Sequence, residues 1–453
     1  RAVDAGAYAN LELSRVLRER RLRGRDAAFA TELTYGATRL RGRYDPIISL
    51  AAGRPLEAID APVLDTLRLG VHQLLGMRVP AHAATAETVA LARQVHGIGA
   101  AGFVNAVLRR VGERDVDSWL AAVAPPSLPL LEQLAIVHSH PLWVVTALRA
   151  ALIGHGRATA DTVQTELAAL LDSDNAAPLV TLVARPGLVD VAELVAAGAS
   201  TGRFAPTSAV LPHGDPRSLA AIREGRAGVQ DEGSQLVALA LAAADVPGDG
   251  PERWLDLCAG PGGKAGLLAA AARQRAARFV ANDVSPHRSE LVRTTLAPVI
   301  RGAAAGAVEV RTMDGREVGR LEPGGYDRVL VDAPCTGLGA LRRRPEARWR
   351  RLPTDLPTLS RLQRELLGSA LDATRAGGIV GYATCSPHLS ETRYAVEDAV
   401  KRRGDVEVLD ARELFRDRTG APLPDLGEGP FVQLWPHVHG TDGMFFALIR
   451  KGS

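Results

Sequence analysis

Two of the three cysteines in this chain directly follow apolar runs that are typical of short β-strands. Cys335 lies in the run Val331–Gly337, together with Asp332, and Cys385 lies in the run Ala383–Pro387. Because the carboxyl ends of parallel strands meet at one edge of a sheet, we expect both thiols and Asp332 to face one cleft. This set of groups suits covalent catalysis, with one nucleophile and one base.

Three other interpretations of Cys335 and Cys385 are open. A lone cysteine is usually a small buried apolar residue. A disulfide between the two is disfavoured by a reducing cytosol, the setting that three cysteines in a chain of this length indicate. A zinc site needs four ligands at recognisable spacing, and the sequence contains no CxxC or HxxxH.

A glycine- and proline-rich turn separates the strand candidate Trp254–Leu257 from a helical stretch that begins at Lys264. Its sequence, CAGPGGK at 258–264, lets the backbone approach a ligand at the end of a strand. It is not a Walker A loop, because Gly260 is only three residues before Gly263 and alanine follows the lysine. Lys264 is one of only three lysines in the chain, which favours a binding site over a plain tight turn.

Acidic residues end the next two strand candidates. Asp283 follows the second strand, 25 residues after Cys258, where a carboxylate can accept hydrogen bonds from both hydroxyls of a ribose. Asp314 follows the third strand, where it could meet an adenine amino group. Either residue alone could be a helix cap. Agreement among loops at three successive strand ends favours a nucleotide-type cofactor.

Two arginine-rich segments could contact a phosphate backbone. Residues 342–351 contain six arginines and Trp349, which suits phosphates and a stacked base. Six more arginines lie between Arg15 and Arg25, in a region, residues 1–112, with 16 arginines and 10 acidic residues. The alternatives are solvated helix faces and, for Trp349, a side chain that anchors its loop to the core.

The periodicity of apolar residues predicts the elements that hold these groups. The pattern predicts a helical domain over residues 1–112 and a linker over 113–128. It predicts further helices over 129–173 and a small α+β subdomain over 177–228. From Val229 strands and helices alternate, which predicts a doubly wound, mainly parallel sheet whose edge Met444–Ile449 could close. The predicted domains are therefore 1–124, 125–228 and 229–453.

Composition excludes several classes of protein. The chain has 453 residues, 46% apolar and 23% charged, with a net charge of +3, which argues against wholesale disorder. No apolar run is long enough to span a bilayer, and no signal-like opening is present. We therefore expect a cytoplasmic protein.

The motifs together resemble the bacterial small-subunit ribosomal RNA methyltransferase B group (RsmB, also called Sun or Fmu). The resemblance is carried by DLCAGPGGKA, the ND of the second strand, VDAPCTGLGALRRRPEARW and YATCSPHLSETR, with further landmarks in HSHPLW, VQDEGSQL and GTDGMFFALIRK. Residues 6–112, with GRDAAFATELTYGATR, VPAHAATAETV and FVNAVLRR, are similar to the NusB-type helical RNA-binding domain found ahead of the enzyme in that group.

The resemblance implies a Rossmann-like class I methyltransferase domain, preceded by the NusB-like domain and the small α+β subdomain. It implies S-adenosylmethionine-dependent methylation of cytosine C5 in small-subunit ribosomal RNA, through a covalent bond between a cysteine and C6. It further implies Cys385 as nucleophile, Cys335 as the thiol that helps release product, and catalytic roles for Asp332 and Lys264. The implied cofactor-binding residues are Cys258, Ala259, Gly260, Pro261, Gly262, Gly263, Lys264, Asp283, Arg288, Asp314 and Asp332.

The chain departs from the family pattern at two places. Gly260 replaces the second alanine of the common Ala-Ala-Pro, which leaves the backbone approach intact, and Thr392 follows Glu391 where the family usually has asparagine. A transfer-RNA cytosine-C5 methyltransferase and a non-catalytic RNA-binding assembly factor remain as alternatives. We expect ribosomal RNA as partner, a monomer, and neither metal nor membrane.

Overall fold

The computed structural model describes residues 9–452, which form two compact units. The helical unit contains residues up to Arg149, together with Gln164–Ala176 and Leu341–Leu352. The sheet unit contains Ala150–Val163, Ala177–Ala340 and the chain from Pro353 onward. The domain boundaries predicted from the sequence, at residues 124 and 228, stay predictions, because each of the two compact units is made of several separate segments of the chain.

The helices of the first half follow one another with short turns: α1 (Ala9–Glu19), α2 (Gly24–Arg39), α3 (Arg41–Ala52), α4 (Ala61–Leu75), α5 (Ala81–His96), α6 (Ile98–Val111), α7 (Val116–Val123), α8 (Leu130–Val137), α9 (Leu142–Gly154) and α10 (Val163–Asn175). The apolar faces of α3, α4 and α6 meet in the core of the helical unit, where Ile47, Leu67 and Leu108 are fully buried. The apolar periodicity thus identifies a helical domain correctly.

The predicted linker at 113–128 is wrong in part, because it contains α7. Asp115 caps this helix by accepting a hydrogen bond from the Ser118 amide at 2.8 Å. Trp119 is buried, and its indole N–H donates to the Val111 carbonyl at 2.9 Å. Pro125 and Pro126 stop the helix but do not make the preceding residues a tether.

A small antiparallel sheet follows, in the strand order β2-β3-β1-β4, and confirms the predicted α+β subdomain. Its elements are β1 (Val180–Ala184), α11 (Val191–Ala196), β2 (Ser200–Thr201), β3 (Ser208–Leu211), α12 (Ala220–Arg223) and β4 (Ala227–Val229). Leu182, Ala209 and Leu211 point into its own apolar core.

The remaining elements build an eight-stranded sheet flanked by helices. They are α13 (Glu232–Ala243), β5 (Arg253–Asp256), α14 (Gly263–Gln274), β6 (Arg278–Asp283), α15 (Pro286–Arg301), β7 (Val308–Thr312), α16 (Val318–Leu321), β8 (Tyr326–Asp332), α17 (Ala347–Arg350), α18 (Leu356–Ala373), β9 (Thr374–Thr384), α19 (Arg393–Arg402), β10 (Val406–Leu409), β11 (Val432–Gln433), α20 (Pro436–His439) and β12 (Phe445–Lys451). Within this set, α17 belongs to the helical unit. The central strands are buried on both faces, as parallel strands between helices must be.

The strand order is β10-β12-β9-β8-β5-β6-β7, with β11 paired to β12. Strands β9, β8, β5, β6 and β7 are parallel, which confirms the predicted doubly wound, Rossmann-like arrangement. The C-terminal strand β12 is antiparallel and lies inside the sheet, so the prediction that Met444–Ile449 closes the edge is wrong. The strand at this edge of the sheet is β10. It has only four residues, which is too short a run to be predicted as a strand from the sequence.

The order of the strands reverses between β5 and β8. The chain leaves β5 toward β6 and β7, then returns to β8 on the other side of β5. In parallel sheets of this kind, ligands bind outside the carboxyl ends of the strands at such a reversal. Asp256, Asp283, Asp332 and Thr384 are the last residues of four of these strands.

Within the described part of the chain, one helix alone is never long and apolar enough to cross a membrane. Only Leu130–Val137 taken together with Leu142–Gly154 meets those two criteria, and this pair is bent by 110°.

Candidate active site

The glycine-rich loop after β5 requires glycine at two positions. Gly262, immediately before α14, has a φ of 109°, which disfavours any side chain. At Gly260 a Cβ atom would lie only 2.4 Å from Oδ2 of Asp283. The loop is therefore shaped so that its backbone and the end of β6 lie against each other.

Asp283 is buried and holds that contact. Its Oδ2 accepts a hydrogen bond from the Gly260 amide at 3.0 Å, and its Oδ1 accepts one from the Ser285 amide at 2.8 Å. Arg288 Nε lies 3.1 Å from Oδ1, and its side chain is exposed. Ser285 caps α15, so the cap fixes where Arg288 emerges. The structure thus brings together two of the predicted cofactor-binding residues, Asp283 and Arg288, at the loop.

Asp314 follows β7 and behaves as a cap in this structure. It accepts a hydrogen bond from the Arg316 amide at 3.0 Å and forms an ion pair with the Arg316 guanidinium at 2.6 Å. The hydrogen bonds from Arg316 lower the pKa of the Asp314 carboxyl. Contact of this carboxylate with an adenine stays a prediction.

Lys264 and Asp332 form an ion pair, with Nζ 2.9 Å from Oδ2. Lys264 lies in the first turn of α14 and is buried, while Asp332 ends β8 and is partly exposed. Burial alone would lower the pKa of Lys264, but the charge and hydrogen bond of Asp332, with smaller effects from Cys385 and Asp256, raise it overall. Lys264, at the end of the glycine-rich loop, is therefore a cation with the Cys385 sulfur nearby.

Asp256, the last residue of β5, adds a buried carboxyl to the candidate site that the motifs alone do not predict. Its carboxyl is fully buried, and burial, with the nearby charge of Asp332, raises its pKa to about 8. The Cys258 amide and Lys264 oppose this shift. Within residues 9–452, neither carboxylate oxygen completes a hydrogen bond. Its position directly before the CAGPGGK turn was the available signal.

The third cysteine, Cys258, begins the loop. Burial raises the pKa of its thiol well above the ordinary value, and the charges of Asp256, Asp332 and Asp283 add to the effect. A thiol held neutral in this way is a poor nucleophile. Cys258 therefore fits a structural role at the start of the glycine-rich loop better than the role of a nucleophile.

Cys335 and Cys385 lie together, with 3.5 Å between their Sγ atoms, and both are thiols. A hydrogen bond with Cys385 and burial raise the pKa of Cys335 well above its ordinary value, and the charges of Cys385, Glu391 and Asp332 add to this. Cys335 therefore keeps its proton next to Cys385. The distance between the sulfur atoms is too long for a disulfide bond, which needs about 2.05 Å.

A buried carboxylate, Glu391, ties the two cysteine loops together. It accepts hydrogen bonds from the Thr336 amide at 2.8 Å and from Gln363 Nε2 at 3.1 Å, and another from the Thr336 hydroxyl. The Thr336 hydroxyl also lies 3.0 Å from the Ser386 hydroxyl. Residues adjacent to each cysteine are thus joined, an arrangement that the sequence alone did not predict.

His155 supports the Cys385 loop from the other side. Its Nε2 lies 2.9 Å from the Pro387 carbonyl and 3.3 Å from the hydroxyl of Thr392, the residue that replaces the family's usual asparagine. Burial lowers the pKa of His155 to about 4, so the ring is neutral at pH 7 and Nε2–H can donate to Pro387. Nothing in its sequence surroundings distinguished this histidine.

The prediction that the arginine-rich segment 342–351 contacts a phosphate backbone is wrong for two of its arginines. Arg348 is completely buried and donates to Ser139 O at 3.1 Å, to Asn175 Oδ1 at 2.8 Å and to Asp174 O at 3.0 Å. Arg342 is buried too, so neither residue lies on the surface as a phosphate contact would require. Arg344 is exposed, and Arg343, Arg350 and Arg351 are partly exposed.

Trp349 in the same segment is half-buried and anchored. Its indole N–H donates to the Thr38 carbonyl at 2.8 Å, and a Cβ at Gly42 would lie 2.4 Å from the ring. The alternative interpretation, a loop anchored by its tryptophan, therefore describes this side chain best.

The basic segment around α1 and the start of α2 is largely exposed. Arg15 is ion-paired with Glu12 and Glu19 at 2.5 and 2.6 Å, so its charge is balanced. The other exposed arginine side chains of this segment are those of Arg18, Arg20, Arg21, Arg23 and Arg25. Across the described residues we find no group of three or more histidine, cysteine or acidic side chains arranged to hold a metal ion.

Comparison with known proteins adds to this picture. Residues 245–450 match the family model described as 16S rRNA methyltransferase RsmB/F, and residues 2–113 match the NusB family. The chain is 54% identical, over its whole length and 94% of the relative, to "Putative methyltransferase MT1451" of Mycobacterium tuberculosis (strain CDC 1551 / Oshkosh). It is 31% identical to "Ribosomal RNA small subunit methyltransferase B" of Pseudomonas syringae pv. tomato (strain ATCC BAA-871 / DC3000), over 94% of this chain and 90% of the relative.

Solved structures share the fold. The crystal structure of PH0851 superposes with a TM-score of 0.77 and 22% identity, over 97% of this chain and 93% of the other. The crystal structure of NSun6 from Pyrococcus horikoshii with SFG superposes with a TM-score of 0.56 and 17% identity, over 70% of this chain and all of the other.

Proposed function

Because this chain belongs to the RsmB/F family of 16S rRNA methyltransferases, we propose that it methylates C5 of a cytosine in small-subunit ribosomal RNA. The observation that carries the proposal is the pair Cys335 and Cys385, 3.5 Å apart between sulfur atoms. Two thiols so close, near the ion pair of Lys264 and Asp332, provide both groups that a covalent route to cytosine C5 needs.

The cofactor in this proposal is S-adenosyl-L-methionine, which supplies an electrophilic methyl group on a sulfonium sulfur when bound. The residues present fit such a group. Gly260 lets the loop backbone lie against Asp283, which keeps lone pairs for ribose hydroxyls while Arg288 balances its charge. Asp256 is a fully buried carboxyl directly before the loop.

Cys385 is the proposed nucleophile. Cytosine C5 is a poor nucleophile, so the Cys385 thiolate first forms a bond to C6, and the electron pair of the C5–C6 double bond becomes available at C5. The Lys264 cation lies close enough to Cys385 for each charge to stabilise the other, which favours the thiolate. In this proposal Asp332 and cytosine N3 share a proton, which stabilises the negative charge that develops on the ring. The pair at C5 would then bond to the methyl carbon of S-adenosyl-L-methionine, while the bond from that carbon to the sulfonium sulfur breaks and a neutral thioether leaves.

Cys335 is the proposed base in the release step. Its raised pKa depends first on the hydrogen bond with Cys385 and partly on the charge there. Once Cys385 is bonded to C6, its hydrogen bond and its charge no longer raise the pKa of Cys335, which makes the Cys335 thiolate easier to form. The Cys335 thiolate then takes the C5 proton, the C5–C6 double bond re-forms, and the bond from C6 to Cys385 breaks to return its thiolate.

The helical unit is the proposed RNA-binding part. The five exposed arginines from Arg18 to Arg25 form a basic surface that would contact phosphates, and the NusB match covers the same region. We propose that the protein works as a monomer in the cytoplasm, where its thiols stay reduced. The target base has to be unstacked to reach the cysteines, which favours a loop or a flipped nucleotide.

The proposal is tested by methyl transfer from radiolabelled S-adenosylmethionine to 16S rRNA, to assembling small subunits and to transfer RNA. We expect label in 16S rRNA, at a cytosine that then resists bisulfite conversion. Label confined to transfer RNA would overturn the ribosomal substrate. Label in adenine, or no label in any RNA from a protein that binds the cofactor, would overturn the cytosine chemistry.

A further inference from the structure

Gln230 is a buried amide whose side chain has no assigned role. It follows β4 and is only 6% exposed. Among residues 9–452, neither Oε1 nor Nε2 has a hydrogen-bond partner. Buried polar atoms in folded proteins nearly always have partners, so an amide with both atoms unsatisfied suggests a ligand that supplies them.

The main chain holds Gln230 firmly in place. Its amide N–H donates to the Thr181 carbonyl at 3.0 Å, and its carbonyl accepts from Gln235 Nε2 at 3.0 Å. The next residue, Asp231, caps α13 through the Gly233 amide at 2.9 Å. The backbone is therefore fixed on both sides, and the unsatisfied side chain does not result from a loose loop.

The side chain of Gln230 lies against the start of α14. A Cβ built on Gly263 would lie 3.8 Å from the Gln230 amide carbon and 4.0 Å from its Nε2. Gly263 is the first residue of this 12-residue helix, and Lys264 follows it. The first N–H groups of a helix have no partner within the helix and favour a negative group. The free N–H groups at the start of α14 and the side-chain amide of Gln230, which has one donor group and one acceptor, thus lie next to each other.

This combination matches the two ends of an amino acid. A primary amide can accept from an ammonium group through Oε1 and donate to a carboxylate through Nε2. The exposed N–H groups of α14 would hold the same carboxylate. A neutral amide serves this purpose better than a charged group, because it can satisfy both signs at once.

We propose that Gln230 binds the α-ammonium and α-carboxylate groups at the amino-acid end of the cofactor. The inference rests on the proposed function, since it takes the cofactor to be S-adenosylmethionine. It adds to the site a residue from the small α+β region, outside the loops at the strand ends of the main sheet. Gln230 would therefore recognise the half of the cofactor that does not carry the nucleoside.

The test compares two probes by calorimetry with the full-length protein. S-adenosylhomocysteine contains the amino acid, and 5′-methylthioadenosine lacks it. We expect Gln230→Met, which keeps the length of the side chain over Gly263, to weaken S-adenosylhomocysteine binding roughly 10-fold and to leave 5′-methylthioadenosine within about 2-fold. Gln230→Ala should do the same, and the control Gln274→Ala, at the exposed far end of α14, should change neither.

Other outcomes separate the two proposals. Unchanged binding of S-adenosylhomocysteine by both Gln230 variants would overturn the role of Gln230. An equal loss for both probes would overturn it too, because it would mean a general distortion of the loop. If the unaltered protein bound neither probe, the proposed function would fail and this inference with it. Circular dichroism would show that the variants being compared are folded.

Discussion

The Sγ atoms of Cys335 and Cys385 lie 3.5 Å apart, although the two residues are 50 positions apart in the chain. Cys335 follows β8 and Cys385 follows β9, and these neighbouring parallel strands pair Asp332 with Ala383 at their ends. A further hydrogen bond joins the loops, from the Gly339 amide to the Cys385 carbonyl at 2.9 Å. The sheet itself thus determines that the two thiols meet.

The first prediction separates the roles of the two cysteines. Cys385→Ala should abolish methyl transfer, because it removes the thiolate that bonds to C6. Cys335→Ala should instead trap the RNA on the protein, because the C5 proton is no longer removed. A denaturing gel with labelled RNA would measure the trapped adduct. Normal turnover by Cys385→Ala, or an adduct formed by that variant, would contradict the assignment.

The second prediction concerns Glu391, which holds the loop of Cys335 through Thr336. Glu391→Ala leaves the buried Thr336 amide without its acceptor, a cost of about 1–3 kcal/mol. We expect slower turnover and a larger adduct fraction, because Cys335 is no longer held in place, with partial recovery in Glu391→Gln. A purely structural role would lower adduct and product together. Glu397→Gln, an exposed residue of α19, is the matched control.

The third prediction is a dependence of stability on acid. The pKa of His155 is about 4 in the folded protein, below its ordinary value of 6.5. Its contribution to stability is therefore complete above about 6.5 and is lost as the pH falls from there toward 4. His155→Gln keeps a donor for Pro387 but does not titrate, so urea midpoints should fall less steeply between pH 7 and pH 5. The exposed His287→Gln should keep the original slope.

Much of the fold could be predicted from the sequence, because its signals are local. The apolar strand runs, the helical periodicity and the CAGPGGK turn each lie within about ten residues, and all appear as elements of the structure. The error about the edge of the sheet has a long-range origin. Strand β12 was expected at the edge, but β10 pairs beyond it, and that pairing joins residues far apart in the chain.

The same distinction applies to the site. Cys335, Cys385 and Asp332 could be selected because strand ends carry ligands. Glu391 and His155 could not, since their importance comes from hydrogen bonds to Thr336 and Pro387. Arginine content was misleading for a further reason. A guanidinium can serve a buried hydrogen-bond network as well as a phosphate, and composition does not distinguish the two uses.

The fourth prediction compares a buried and an exposed arginine of the segment 342–351. Arg348→Ala removes four hydrogen bonds inside the helical unit and should lower the free energy of unfolding by about 3–5 kcal/mol, as loss of one partner from a buried ionic contact typically does. Arg344→Ala, on the exposed side, should change stability by less than about 0.5 kcal/mol. If the exposed arginine contacts RNA, its variant should instead weaken RNA binding and reduce the salt dependence of that binding. Urea titration and RNA binding at two salt concentrations would measure both.

The fifth prediction concerns Asp256, whose pKa of about 8 lies far above the ordinary value of 3.8. The folded protein binds this proton more tightly than the unfolded chain does. The resulting stability is complete below pH 3.8 and is lost as the pH rises through 8. Asp256→Asn has no proton to lose, so its urea midpoint should change less between pH 6 and pH 9 than that of the unaltered protein. The exposed Asp249→Asn should retain the original pH dependence, and identical slopes for all three proteins would contradict a neutral Asp256.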